Sequence, residues 1–209
     1  MFNKKRQTQL KRKTNEVDIL GRFNLDGAGN TTIDTGFEPL NHLLTLFAFH
    51  GFFDLELKAK GDLQHHIIED IGIALGKGLK ESLGDKQGIN RYGSYSITMD
   101  KVAVEANIDI SGRPSLLKKV CCGDKELVDT LLANGTFDDT GFNFSHAEEF
   151  LEAFIQHSGL SLVYIIKSGQ GDLHHLLEAL FKALGKSLDQ ASQIDSRRRG
   201  IPSTKGIID

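Results

Sequence analysis

At 209 residues the chain is long enough for one large domain or two small ones, each with its own core. Its 39% hydrophobic and 25% charged residues exclude long disorder, and no apolar run approaches the ~18 residues of a membrane span. The net charge of −3 gives no reason to expect nucleic acid. The only cysteines, Cys121 and Cys122, are adjacent and suit neither a disulfide framework nor a thiolate zinc site, so a cytoplasmic setting is expected.

In chain order, residues 1–13 read as a mobile basic arm; no apolar segment follows its Lys and Arg residues, so it is not a signal peptide. Residues 14–90 form a first half-domain: a strand over 17–25 ending in Asp26-Gly27, a helix over 38–50, a strand over 52–60 and a helix over 64–83. Residues 91–194 form a second, with a strand over 102–110, a helix over 145–158, a strand over 160–168 and a helix over 172–191. Residues 115–144 lack a counterpart in the first half, and their NGTFDDTG stretch reads as a surface loop. The tail, 195–209, is irregular but rich in functional residue types.

The halves repeat each other. GDLQHHIIEDIGIALGKGLK (61–80) matches GDLHHLLEALFKALGKSL (171–188), which aligns His65, His66 and Glu69 with His174, His175 and Glu178 at an offset of 109. Upstream, Phe47 and His50 resemble Phe154 and His157. So long a period means two related half-domains. The unit is ββαβα, twice, an α+β architecture with helices covering one face of each sheet.

On a helix the first His and the Glu four residues later lie about 40° apart, so His65 with Glu69, or His174 with Glu178, can reach one ion. His66 and His175 point about 100° away and can reach a second, which predicts two equivalent sites that each borrow from both helices. Imidazole and carboxylate without thiolate suit Mn, Fe or Zn. A single HHxxE is usually surface decoration; exposed His-His-Glu sets recurring in both copies have no packing reason to survive.

Together these features resemble the imidazoleglycerol-phosphate dehydratase family. The likeness is carried by NLDGAGN (24–30), LNHLLTLFAFHG (40–51), HHIIED (65–70), INRYG (89–93), DISGRP (109–114), HHLLEALFKAL (174–184) and DSRRRGIPSTKG (195–206). The resemblance implies two ferredoxin-like halves and two Mn2+ ions per active site, the sites being shared between subunits of a 24-subunit homo-oligomer. It implies a small phosphorylated imidazole substrate: imidazole glycerol phosphate, dehydrated to imidazole acetol phosphate in histidine biosynthesis. Metals on both ring nitrogens would stabilise an imidazolate, through which a poor acid and a poor leaving group depart.

The ligands so implied are His42, His65, His66, Glu69, His174, His175 and Glu178, with His65 and Glu178 at the chemistry and Glu16 transferring a proton. The same set touches substrate, with His50 closing over it and Lys182 beside it. Arg91, Arg113, Ser203, Thr204 and Lys205 suit a phosphate, with Arg197 and Arg198 as helpers.

The chain departs from the family pattern in four places. Asn41 replaces an acid before His42, Leu63-Gln64 replaces an acidic stretch, Lys101 replaces a common acid, and Glu149 stands where many relatives have a ligand His. Glu149 can still bind Mn through carboxylate oxygen. These changes leave two alternatives: a non-catalytic metal-binding paralogue, or a di-metal hydrolase of another phosphate ester.

Overall fold

The computed structural model describes residues 6–208. In the first half, β1 (Gln7–Lys13) turns into β2 (Val17–Asn24), which pairs antiparallel with β4 (Asp54–Gly61); β3 (Thr31–Asp34) runs parallel to β4. The sheet order is β1-β2-β4-β3, and α1 (Glu38–Gly51) and α2 (Gln64–Leu83) flank β4 in sequence. In the second half, β5 (Tyr92–Met99), β6 (Val102–Asp109), β7 (Ser115–Val120) and β8 (Ser161–Gly169) take the same order, β5-β6-β8-β7. α4 (Phe144–Ser158) and α5 (Leu173–Ser192) correspond to α1 and α2, and α3 (Lys125–Asn134) is inserted before α4.

The duplicated α+β plan is as expected, and the expected helices and strands agree with the observed ones within a residue or two. Each ββαβα unit is extended by one strand. Two expectations need correction. The basic arm is a strand from residue 7 on: Leu10 and Thr8 turn inward while Lys11 and Lys13 face solvent, and charges of this kind protect a sheet edge from further pairing. Its first five residues, Lys4 and Lys5 included, lie outside the described residues. The segment 115–144 is not wholly unmatched either: Ser115–Val120 is β7, the counterpart of β3. Short edge strands that pair on one side carry little alternation, so neither was legible. Nor is the rest only a surface loop, because Phe137 and Phe142 are buried.

Helices cover one face of each sheet, α2 on the first and α5 on the second. The helices of the two halves then pack on one another, α2 against α4 and α1 against α5, so they lie between the sheets in one continuous core. The stripe Leu176, Leu180, Leu184, Leu188 on α5 is fully buried. Burying each such side chain contributes about 1.5–3 kcal/mol.

The shared Ala-Leu-Gly-Lys element explains how closely the helices cross. A Cβ on Gly76 would stand 2.6 Å from the Phe154 carbonyl oxygen, and one on Gly185 2.3 Å from that of Phe47. Both glycines therefore let backbone meet backbone, and Phe47 and Phe154 themselves meet edge to face with centroids 6.0 Å apart. These two equivalent crossings set the HHxxE segment of α5 against α1 and that of α2 against α4.

Candidate metal centre

Asp172 caps α5, accepting the His175 backbone N–H at 2.8 Å. The first turns that follow turn His174 and Glu178 toward α1, where His42 occupies the second turn. His42 Nε2 lies 2.5 Å and His174 Nε2 3.1 Å from Glu178 Oε1. One ligand atom from each of the three lies within 4.8 Å of the others, the one such group among the described residues. Glu178 is buried, and its other oxygen accepts from Lys182 Nζ at 2.7 Å. Burial opposes its ionisation, but the Lys182 ammonium and His42 override it and hold the carboxyl at about 2. A charged carboxylate facing two imidazoles suits a divalent cation.

At the equivalent crossing of α2 and α4, His65, Glu69 and Glu149 line a cavity of about 640 Å³ that Glu152, His157 and the start of β7 also line. Glu149 thus stands at one crossing as His42 stands at the other. Its Oε2 is buried with no hydrogen-bond partner. Leaving a carboxylate oxygen so costs several kcal/mol in the absence of a compensating group, on the order of 1–3 or more. His65 and Glu69 line the same cavity, although the ligand atoms of these three do not converge as closely as those of His42, His174 and Glu178. Within one chain the two motifs face different helices, one toward α1 and the other toward α4.

His66 and His175 point away from these crossings, as the helical spacing requires. His66 Nδ1 lies 2.8 Å from Asp62 Oδ1 and 4.0 Å from Glu16. The hydrogen bond to Asp62 raises its pKa against desolvation, with help from Glu16. His175 lies 3.3 Å from Asp172 and 3.7 Å from Asp100. A carboxylate on the far ring nitrogen orients a ligand imidazole and raises its basicity. Asp62 supplies this where the sequence reading saw no acid before the first pair.

The remaining candidates fall into two groups. Glu16 is exposed at the β1–β2 turn beside His66, whereas His50, in the last turn of α1, lies near Lys182 and Lys186. Burial, then those two lysines, lower the His50 pKa against the pull of Glu178. Arg91 is committed: it grips Asp109 through Nε at 2.7 Å and Nη2 at 3.1 Å and donates Nη1 to the Pro202 carbonyl at 3.0 Å. It therefore ties the tail bearing Ser203, Thr204 and Lys205 to the sheet. Arg113 is exposed beside Ser111, and Arg197 pairs with Asp195. Among the described residues, no hydrogen bond or ion pair joins this phosphate-suited group to either HHxxE motif.

Asp54 went unnoticed in the sequence, and Asn41 was noticed only as a missing acid. Asp54 accepts from the Ala28 and Asn30 backbone and from the Asn24 and Asn30 amides, and so fixes the NLDGAGN loop. Asn41 spends its side chain on Thr35, at 2.9 Å and 2.7 Å, and leaves His42 without an orienting carboxylate. An Asp or Asn next to a motif carries no mark of which loop it will hold.

Residues 35–188 match the family model of imidazoleglycerol-phosphate dehydratase. The chain is 43% identical to the imidazoleglycerol-phosphate dehydratase of Pelobacter propionicus over 97% of its own length and 99% of the relative's. The Bacillus licheniformis protein of that name is 44% identical over 97% of this chain and all of its own. Among solved structures, the Staphylococcus aureus enzyme aligns with a TM-score of 0.76 at 32% identity, covering 90% of this chain and 99% of its own. The IGPD of Pyrococcus furiosus aligns with a TM-score of 0.76 at 32% identity, over 94% and 99%.

Proposed function

The chain belongs to the imidazoleglycerol-phosphate dehydratase family, and on that premise we propose that it is a Mn2+-dependent hydro-lyase of histidine biosynthesis. It takes imidazole glycerol phosphate to imidazole acetol phosphate. The observation that supports the metal dependence is the convergence of His42, His174 and Glu178; at the other crossing His65, Glu69 and Glu149, with its orphaned oxygen, line one cavity.

The metal, when bound, supplies Lewis acidity toward the substrate's imidazole ring. The chain's own residues supply the rest. Glu178 stays ionised through Lys182 and so presents a charged oxygen at any working pH. Glu16, exposed beside His66, accepts the proton lost from the hydroxyl-bearing carbon one removed from the ring. The hydroxyl on the ring-attached carbon leaves as water, and the resulting enol, with its hydroxyl on the next carbon, settles to the ketone of imidazole acetol phosphate. Arg91, through Asp109, fixes the tail so that Ser203, Thr204 and Lys205 can hold the phosphate, with Arg113 and Arg197 as further cations.

We assign the assembly a 24-subunit form with shared sites. It is supported by the separation, within one chain, of the two HHxxE motifs from each other and from the phosphate-suited group. His66 and His175, which face away from the intrachain crossings, are then the residues that meet a neighbour's ligands. The setting we propose is the cytoplasm; no helix among the described residues is long and apolar enough to cross a membrane. The test is dehydration of imidazole glycerol phosphate by chelator-stripped protein before and after adding Mn2+. Turnover restored by the metal supports the reading. Metal binding without turnover contradicts it and favours a paralogue that lost the reaction.

A further inference from the structure

The halves differ most between the third strand and the helix that follows it. Residues 35–37 make this link in the first half, whereas in the second it runs from 121 to 143 and contains α3. The inserted segment is anchored. Val128 and Phe142 are fully buried, and Phe142 packs on Phe37 and on His146 with centroids 5.8 Å and 5.3 Å apart. Backbone pairing closes the turn, with Phe137 N–H donating to the Phe142 carbonyl at 2.6 Å and a bridge between Thr136 and Asn143.

This closed turn lays the Phe137 ring on His174, with centroids 4.1 Å apart and planes within 20°; the His42 ring lies 6.2 Å away. Around His65, Glu69 and Glu149 there is an open cavity instead. An imidazole binds metal through a lone pair in its ring plane. Stacking on the ring face restrains its rotation and leaves that lone pair free. His42 and His174 need such restraint, because their only side-chain partner among the polar contacts described is the shared Glu178, and Asn41 is turned to Thr35. A ring ordered before binding loses less freedom when the ion arrives.

We propose that Phe137 is a positioning residue for His174, which makes the His42, His174, Glu178 site the tighter of the two metal sites and the first to fill. The His65, Glu69, Glu149 site, open to the cavity, is the weaker. This inference rests on the metal-centre reading above and adds an order of filling and a residue that imposes it.

The experiment titrates chelator-stripped full-length protein with MnCl2 and follows free Mn2+ by electron paramagnetic resonance. Wild-type protein should show two classes of sites. Phe137→Ala and Phe137→Leu should weaken the tight class on the order of tenfold, the lower end for residues that support ligand histidines, and leave the weak class unchanged. Phe137→Tyr, which keeps the flat ring, should retain the tight class. The contrast between Leu and Tyr separates ring stacking from mere filling of space. Tight binding unchanged in Phe137→Leu, or lost equally in Phe137→Tyr, overturns the proposal. A wild-type protein with a single class of sites overturns it while leaving the metal centre standing. No binding by wild-type protein removes the metal-centre reading itself.

Discussion

Four hydrogen bonds end on the Asp54 carboxylate, and they hold the loop between β2 and β3. Burial pushes its pKa up, but the Ala28 and Asn30 N–H groups and the Asn24 amide override this and set it below the ordinary carboxylate value. A depressed pKa contributes stability that is present above the unfolded value and lost as pH falls through the folded one. Asp54→Asn should therefore cost about 1–3 kcal/mol at pH 7, and the gap to wild type should narrow on acidification below about pH 4. Urea midpoints across pH measure this; a gap that is constant with pH contradicts it. Residues of this kind mark the limit of sequence reading at this scale. The histidine pairs announce their chemistry by type and spacing, whereas Asp54, Asp62 and Phe137 act through partners that only the fold supplies.

Between elements, the decisive feature is the pair of glycine crossings. Gly185 admits the Phe47 carbonyl of α1 against α5, just upstream of which sit His174 and Glu178. Gly185→Ala forces the helices apart, and overpacking of this sort typically costs about 1–3 kcal/mol. Because α1 carries His42 and α5 carries its two partners, the same change should lower Mn2+ affinity at that site. Gly123→Ala, where a Cβ would meet nothing and the backbone is outside the left-handed region, is the control for site geometry. Loss of stability with unaltered metal affinity would show that the crossing does not set the site. The long helices were legible because apolar residues recur along them at helical spacing. β1 was not, because Lys11, Arg12 and Lys13 mask one inward Leu10, and Arg12 itself turns back to pair with Asp70 at 2.7 Å.

At the scale of the whole molecule, duplication gave each half the same sheet order and the same HHxxE helix, and two sequence segments 109 residues apart were enough to read it. Which helix each motif would face was not readable, since that depends on how the halves pack on each other. The answer is an exchange: α5 meets α1, and α2 meets α4. It places two related sets of polar side chains at the two crossings, His42, His174 and Glu178 at one and His65, Glu69 and Glu149 lining a cavity at the other. The most direct test of this account is anomalous diffraction at the manganese edge from crystals grown with Mn2+. The account predicts one peak bounded by His42, His174 and Glu178 and another beside His65, Glu69 and Glu149. Crystals that hold Mn2+ elsewhere, with neither position occupied, would contradict it.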